Sequence, residues 1–125
     1  MSGLVVDYTH AYFYKLVCRD TDITDCYIGH TTNFNRRKSE HTSMCIRPES
    51  ICYNMMMYQF IRDNGGWDNF DMISIETRTC ENALEAQMIE RQYIEYFKPT
   101  LNISIYKFSP TFKIKQAPDP DSDSD

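Results

Sequence analysis

The sequence predicts an α+β domain: a small three-stranded antiparallel sheet flanked by helices, in the order β-β-α-α-β-α. Three observations carry this. Two aromatic and β-branched runs near the N-terminus are separated by an Asp- and Thr-rich turn, the pattern of a β-hairpin. A third such run follows only after two helical segments. A long segment ending before Pro99 then repeats apolar residues at helical spacing. Strands gathered with helices in this order pack as a sheet covered by helices.

The elements follow in order. Tyr12 to Cys18, Tyr-Phe-Tyr-Lys-Leu-Val-Cys, reads as the first strand. Arg19 to Asp25 holds three Asp and two Thr and reads as the turn. Cys26 to His30 is the second strand. Asn33 is placed to cap a helix running through Arg36, Arg37 and Glu40 to about Ser43. Cys45 to Glu49, with Pro48, reads as a loop. A second helix is expected from Ser50, carrying Met55, Met56, Tyr58, Phe60 and Ile61. It ends at Asn64-Gly65-Gly66, a good helix stop. Asn69 to Thr77 reads as the third strand. The third helix spans about Glu81 to Phe97 and stops before Pro99, whose predecessor is biased away from helix. Leu101 to Tyr106 is a short closing segment, extended or helical.

Bulk properties limit the rest. A chain of 125 residues is one domain's worth. With 42% hydrophobic and 25% charged residues it has the composition of a globular protein. It has no run of the roughly 20 apolar residues that span a bilayer. The N-terminus shows no basic segment followed by an apolar run, so an intracellular location, cytoplasmic or nuclear, is expected, without secretion. Cys18, Cys26, Cys45, Cys52 and Cys80 are an odd, scattered set. They read as reduced thiols, with Cys18 and Cys26 alone placed for an occasional disulfide across the turn.

The net charge is −5, but Pro118 to Asp125 hold four Asp and no base. Setting those four aside from 18 acidic residues leaves 14 against 13 basic ones. The remainder is near neutral, and a local basic patch suffices to hold a phosphate backbone. The tail itself reads as a disordered, solubilising end. A sharper reading has it fold back over the basic residues and compete there with a polyanionic partner, in which case deleting Pro118 to Asp125 raises affinity for that partner at low salt.

Three features stand out as chemistry. On the third helix Ala86, Ile89, Tyr93 and Phe97 share one face at 100° per residue, and Glu90 falls inside that apolar arc. Buried carboxylates are paired or bind metal. Glu90 is therefore either half of a structural ion pair, with an Arg from another element, or a cation ligand. On the first helix Arg37 and His41 are four apart and share a face. They read either as a solvated basic face or as a phosphate fork beside a group that transfers protons near pH 7. On the hairpin Tyr14 and Tyr27 lie on neighbouring strands. Gly29 sits where a strand prefers a side chain, which marks close approach of a backbone or ligand; ordinary sheet filler is the bland reading of either tyrosine.

Taken together these residues resemble the GIY-YIG nuclease superfamily. The second signature stands as Tyr27-Ile28-Gly29 and the first as Tyr12-Phe13-Tyr14, with its final Tyr preserved. Arg37 lies ten residues after Tyr27 and His41 four further on. The metal-binding Glu of the family matches Glu90, and its late Asn matches Asn102 in Pro99-Thr100-Leu101-Asn102. The likeness spans about Tyr12 to Asn102. The run Asn64-Gly65-Gly66-Trp67-Asp68-Asn69 is also similar to stand-alone members carried by large DNA viruses and mobile elements. The sequence departs from the pattern in lacking the first signature's Gly and Ile. Cys52 or Tyr53 falls where some members carry a second His.

The resemblance implies a division into residues 1–9, a nuclease domain over 10–106, and a C-terminal extension over 107–125. It implies an endonuclease that hydrolyses DNA with one Mg²⁺ or Mn²⁺ per site and leaves 5′ phosphate and 3′ hydroxyl ends. Glu90 would bind the metal, Arg37 would neutralise phosphate charge, and Tyr14 or Tyr27 would act on the attacking water. His41 would relay the proton or hydrogen-bond that tyrosine, and Gly29 and Asn102 would support the site. Arg36, Lys38 and Arg47, with Lys107, Lys113 and Lys115, would contact phosphates, giving salt-sensitive binding of low sequence specificity. One chain would nick, or a homodimer on DNA would cut both strands. The alternatives are an inactive nucleic-acid-binding module of the same fold, and a protein-interaction domain with the tail as docking segment.

Overall fold

The structure, a computed structural model, describes residues 6–102. Most of the closing segment, Lys107, Lys113, Lys115 and the acidic tail lie outside the described residues. Among those described, the elements are β1 (Ala11–Cys18), β2 (Cys26–Thr31), α1 (Phe34–Ile46), α2 (Met56–Asp63), a 3₁₀ turn (Trp67–Asn69), β3 (Phe70–Arg78) and α3 (Ala83–Phe97). The sheet is antiparallel in the order β2-β1-β3. This is the α+β arrangement that the sequence predicts.

β1 takes the centre because both of its faces are apolar. Tyr14, Leu16 and Cys18 pack with Phe70 and Met72 of β3 against Cys45 of α1 and Met57, Tyr58 and Ile61 of α2. Ala11 and Phe13 face the other way, onto Ala86 and Ile89 of α3. The period of two along the strand thus separates two cores and fixes a three-layer stack, α1 and α2 on one face and α3 on the other. β3 carries one extra residue, Ile75, opposite the Phe13–Tyr14 step: Phe13 pairs with Glu76 and Tyr14 with Ser74.

Both long helices start at an asparagine cap, the first at the Asn33 that the sequence places there and the other at Asn82. Asn33 accepts a hydrogen bond from the Arg36 N–H at 3.0 Å. Asn82 accepts from the Glu85 N–H at 2.9 Å, and Glu85 accepts from the N–H of Glu81, the residue before the cap, at 2.7 Å. α3 ends at Lys98 in the left-handed conformation, just before Pro99. No helix among the described residues is long and apolar enough to cross a membrane. All five cysteines are free thiols.

Two boundaries differ from the sequence reading. α1 continues through Cys45 to Ile46, because Cys45 is fully buried against the sheet and holds the last turn. The second helix begins at Met56, not Ser50. Residues 47–55 instead form successive tight turns, with Ser50, Tyr53 and Met55 N–H groups donating to carbonyls three residues back. Arg62 of α2 holds that shape. Its guanidinium donates to the carbonyls of Cys45 at 2.7 Å and Tyr53 at 2.8 Å and lies 3.6 Å over the Tyr53 ring.

Candidate active site

α1 lies across the sheet face that carries Tyr14 and Tyr27, and it brings Arg37 and His41 to them. His41 is 2% exposed. Its Nε2 lies 2.9 Å from the Tyr14 hydroxyl and its Nδ1 lies 2.7 Å from the Tyr58 hydroxyl. The Trp67 ring stacks on the imidazole at 6.1 Å, and the Tyr27 ring meets it edge-on at 6.0 Å. Tyr14 and Tyr27 rings are 6.3 Å apart on neighbouring strands. The Arg37 side chain is 11% exposed, one turn before His41, and lies 3.5 Å from Glu40. Four residues singled out in the sequence are therefore gathered into one buried polar cluster.

The electrostatics bear on the roles expected of His41, a proton relay or a hydrogen-bonding partner of a tyrosine. Burial, with the positive charge of Arg37 added, pushes its pKa down to about 3. The imidazole is neutral at pH 7, the state suited to the second of these roles. Burial likewise drives the Tyr58 hydroxyl well above the usual tyrosine range.

Gly29 pairs with Tyr14 across the hairpin. A Cβ at Gly29 would lie 2.6 Å from the Tyr14 hydroxyl oxygen and 2.9 Å from a Tyr27 ring carbon. The close approach that the sequence signals is real, and what approaches is the tyrosine pair itself. Asn102 acts on the edge of the same strand. Its amide donates to the Ile28 carbonyl at 2.9 Å and accepts from the Ile28 N–H at 2.8 Å. It thus pairs with the backbone of Ile28 as one residue of a neighbouring strand would.

Glu90 sits as its position in the apolar arc requires, with a side chain 20% exposed, and its carboxylate is hydrogen-bonded. The partner is not an Arg. It is His30, whose Nδ1 contacts Glu90 Oε1 and whose side chain is 4% exposed. His30 follows Gly29, so strand alternation turns it to the α3 side, where its ring packs 5.9 Å from Phe13. Glu90 and the tyrosine cluster are thus presented from the two faces of β2. Sequence reasoning missed His30; the usable signal was its parity, opposite to Tyr27 and facing the helix that carries Glu90. Of the basic residues expected to touch phosphate, Arg36, Lys38 and Arg47 are exposed. Arg36 and Arg47 lie 3.6 and 3.8 Å from Glu40 and Glu49.

Residues 10–102 match the family model of the GIY-YIG catalytic domain. The chain belongs to the GIY-YIG family. That match covers most of the chain and nearly all of the described residues, and it makes the domain one of a nuclease family whose members are generally metal-dependent. No curated protein and no solved structure matches the chain significantly.

The donor set of this GIY-YIG domain fits one kind of cation better than others. Among the described residues no three His, Cys, Asp or Glu side chains converge. A zinc-type cage of several protein ligands would need such a group. Glu90 is a single hard carboxylate, partly exposed, with Oε1 on His30. Mg²⁺ is typically held by one or two carboxylates, water and substrate oxygens.

Proposed function

We propose that this GIY-YIG domain is a divalent-metal-dependent endonuclease that hydrolyses DNA phosphodiester bonds, leaving 5′ phosphate and 3′ hydroxyl ends. The observation that carries the reading is the gathering of Tyr14, Tyr27, Arg37 and His41 into one polar cluster beside the strand that also holds the Glu90 carboxylate. A structural role alone has no need of an Arg, a neutral His and two tyrosines packed together on one face.

Each residue then has a task. Glu90 would hold one Mg²⁺ or Mn²⁺, which when bound supplies Lewis acidity at the scissile phosphate and its leaving oxygen. His30 orients the Glu90 carboxylate, as groups behind metal ligands commonly do. Arg37 presents a planar fork to the non-bridging phosphate oxygens and neutralises the charge that grows on them. Tyr27 is half-buried whereas Tyr14 is 1% exposed, so Tyr27 is the tyrosine that meets the attacking water and Tyr14 supports it from behind. A free tyrosine has a pKa of roughly 10, and nearby positive charge favours its anion. His41 keeps Tyr14 in place as a neutral hydrogen-bonding partner. Asn102 and Gly29 preserve the strand geometry that sets these distances. Arg36, Lys38 and Arg47 grip phosphates without reading sequence. One chain carries one such site, so a single protomer is expected to nick. An intracellular setting accords with five free thiols.

A second reading is favoured by one observation: the Glu90 carboxylate has a partner in His30. On that reading the domain binds nucleic acid without cutting it. End-labelled duplex, branched and single-stranded DNAs incubated with Mg²⁺ separate the two. The nuclease yields fragments that ligase can rejoin and that vanish with chelator. Retarded but uncut DNA on every substrate establishes the binding module.

A further inference from the structure

The polar cluster contains a residue outside both signatures. Tyr58 lies on α2, is 1% exposed, and touches His41 on the side away from Tyr14. A neutral imidazole offers one N–H and one lone pair. Its two contacts must therefore run in one direction. Either Tyr58 donates to Nδ1 and the Nε2–H donates to Tyr14, or Tyr14 donates to Nε2 and the Nδ1–H donates to Tyr58.

Three features choose the first direction. In the second, the proton of Tyr58 would have to point at Met44 Sδ, 3.9 Å away, a weak acceptor at long range. Tyr58 is shut off from solvent, so water is no substitute. Tyr14, by contrast, ends beside Gly29 and the half-buried Tyr27, where its own proton can turn toward the rest of the cluster.

We propose that Tyr58 is a positioning residue: by donating its O–H to His41 Nδ1 it fixes the Nε2–H tautomer, which in turn donates to the Tyr14 oxygen. The chain has a polarity, Tyr58 to His41 to Tyr14. It supports negative charge at the tyrosines without protonating His41, whose burial and neighbouring Arg37 oppose that charge. The tautomer stands on geometry alone; its service to catalysis rests on the nuclease reading above.

The test is nitrogen NMR of the whole chain with ¹⁵N-labelled histidine near pH 7, with His41 assigned from the His41→Gln spectrum. The wild type is expected to show neutral, Nε2-protonated His41. Tyr58→Phe, which keeps the ring and removes the donor, should give the Nδ1–H form or a mixture. It should lower kcat roughly three- to tenfold with KM unchanged, the worth of one hydrogen bond. A KM change without a kcat change would overturn the positioning role. Nδ1–H in the wild type, or an unaltered tautomer in Tyr58→Phe, would overturn the proposal outright. If that variant does not fold, the wild-type tautomer decides alone. Nε2–H in a wild type that cuts no DNA would sink the nuclease reading and leave the polarity standing.

Discussion

At the scale of single residues, Gly29 and His41 carry the sharpest consequences. Gly29→Ala drives a methyl into the Tyr14 hydroxyl and the Tyr27 ring at once. Overpacking of this kind costs about 1–3 kcal/mol. The Tyr14 ring is walled in by His41 and Phe34 and has little room to yield. We expect a lower denaturation midpoint together with loss of cleavage, and an Ala variant with wild-type stability would refute the close approach. His41 makes stability depend on pH. Its folded pKa of about 3 lies below the unfolded 6.5, so the unfolded chain takes up the proton first. The associated stability is intact above pH 6.5 and is lost as pH falls from there toward 3, on the order of a few kcal/mol in all. Unfolding curves across that window should show the slope in the wild type and a shallower one in His41→Gln. Tyr14, Tyr27, Arg37 and His41 were singled out together through the family resemblance, and Tyr58 was not. The state of His41 was not legible in the sequence, since burial and the field of Arg37 depend on packing that a one-turn spacing does not encode.

At the scale of elements, the segment between α1 and α2 shows what sequence pattern alone misjudges. Its methionines and tyrosines extend the helical pattern back to Ser50, but residues 47–55 are tight turns. One guanidinium, that of Arg62, bridges two carbonyls of this segment and covers the Tyr53 ring. A long-range latch has no local signature, so the boundary was out of reach. Arg62→Ala is expected to cost about 2–4 kcal/mol, as loss of charge-assisted hydrogen bonds to buried carbonyls does. Hydrogen exchange should then rise in residues 47–55 first; uniform exchange across the domain would contradict a local latch. The hairpin and α3, by contrast, were readable because their determinants are local: strand-forming apolar runs, an apolar arc at helical spacing and the stop before Pro99. Glu90 was conspicuous within α3 for the same reason. Its partner His30 was hidden because the contact crosses from helix to strand.

At the scale of the whole molecule, the fold is a device for bringing two kinds of group to one strand. α1 and α2 close over one face of β2 with the tyrosine cluster, and α3 approaches the other with a carboxylate. On the nuclease reading proposed above, one set would offer charge neutralisation and a hydroxyl for the nucleophile, and the other a hard oxygen for a cation. Near-neutral charge outside the acidic tail would then leave substrate grip to a few exposed basic side chains. That reading makes Glu90 a metal ligand and not only the partner of His30. Its most direct test is nicking of supercoiled plasmid in Mg²⁺ or Mn²⁺ by the wild type and by Glu90→Ala. The account predicts nicking by the wild type that disappears in the variant and in chelator. Nicking that survives in Glu90→Ala would contradict it.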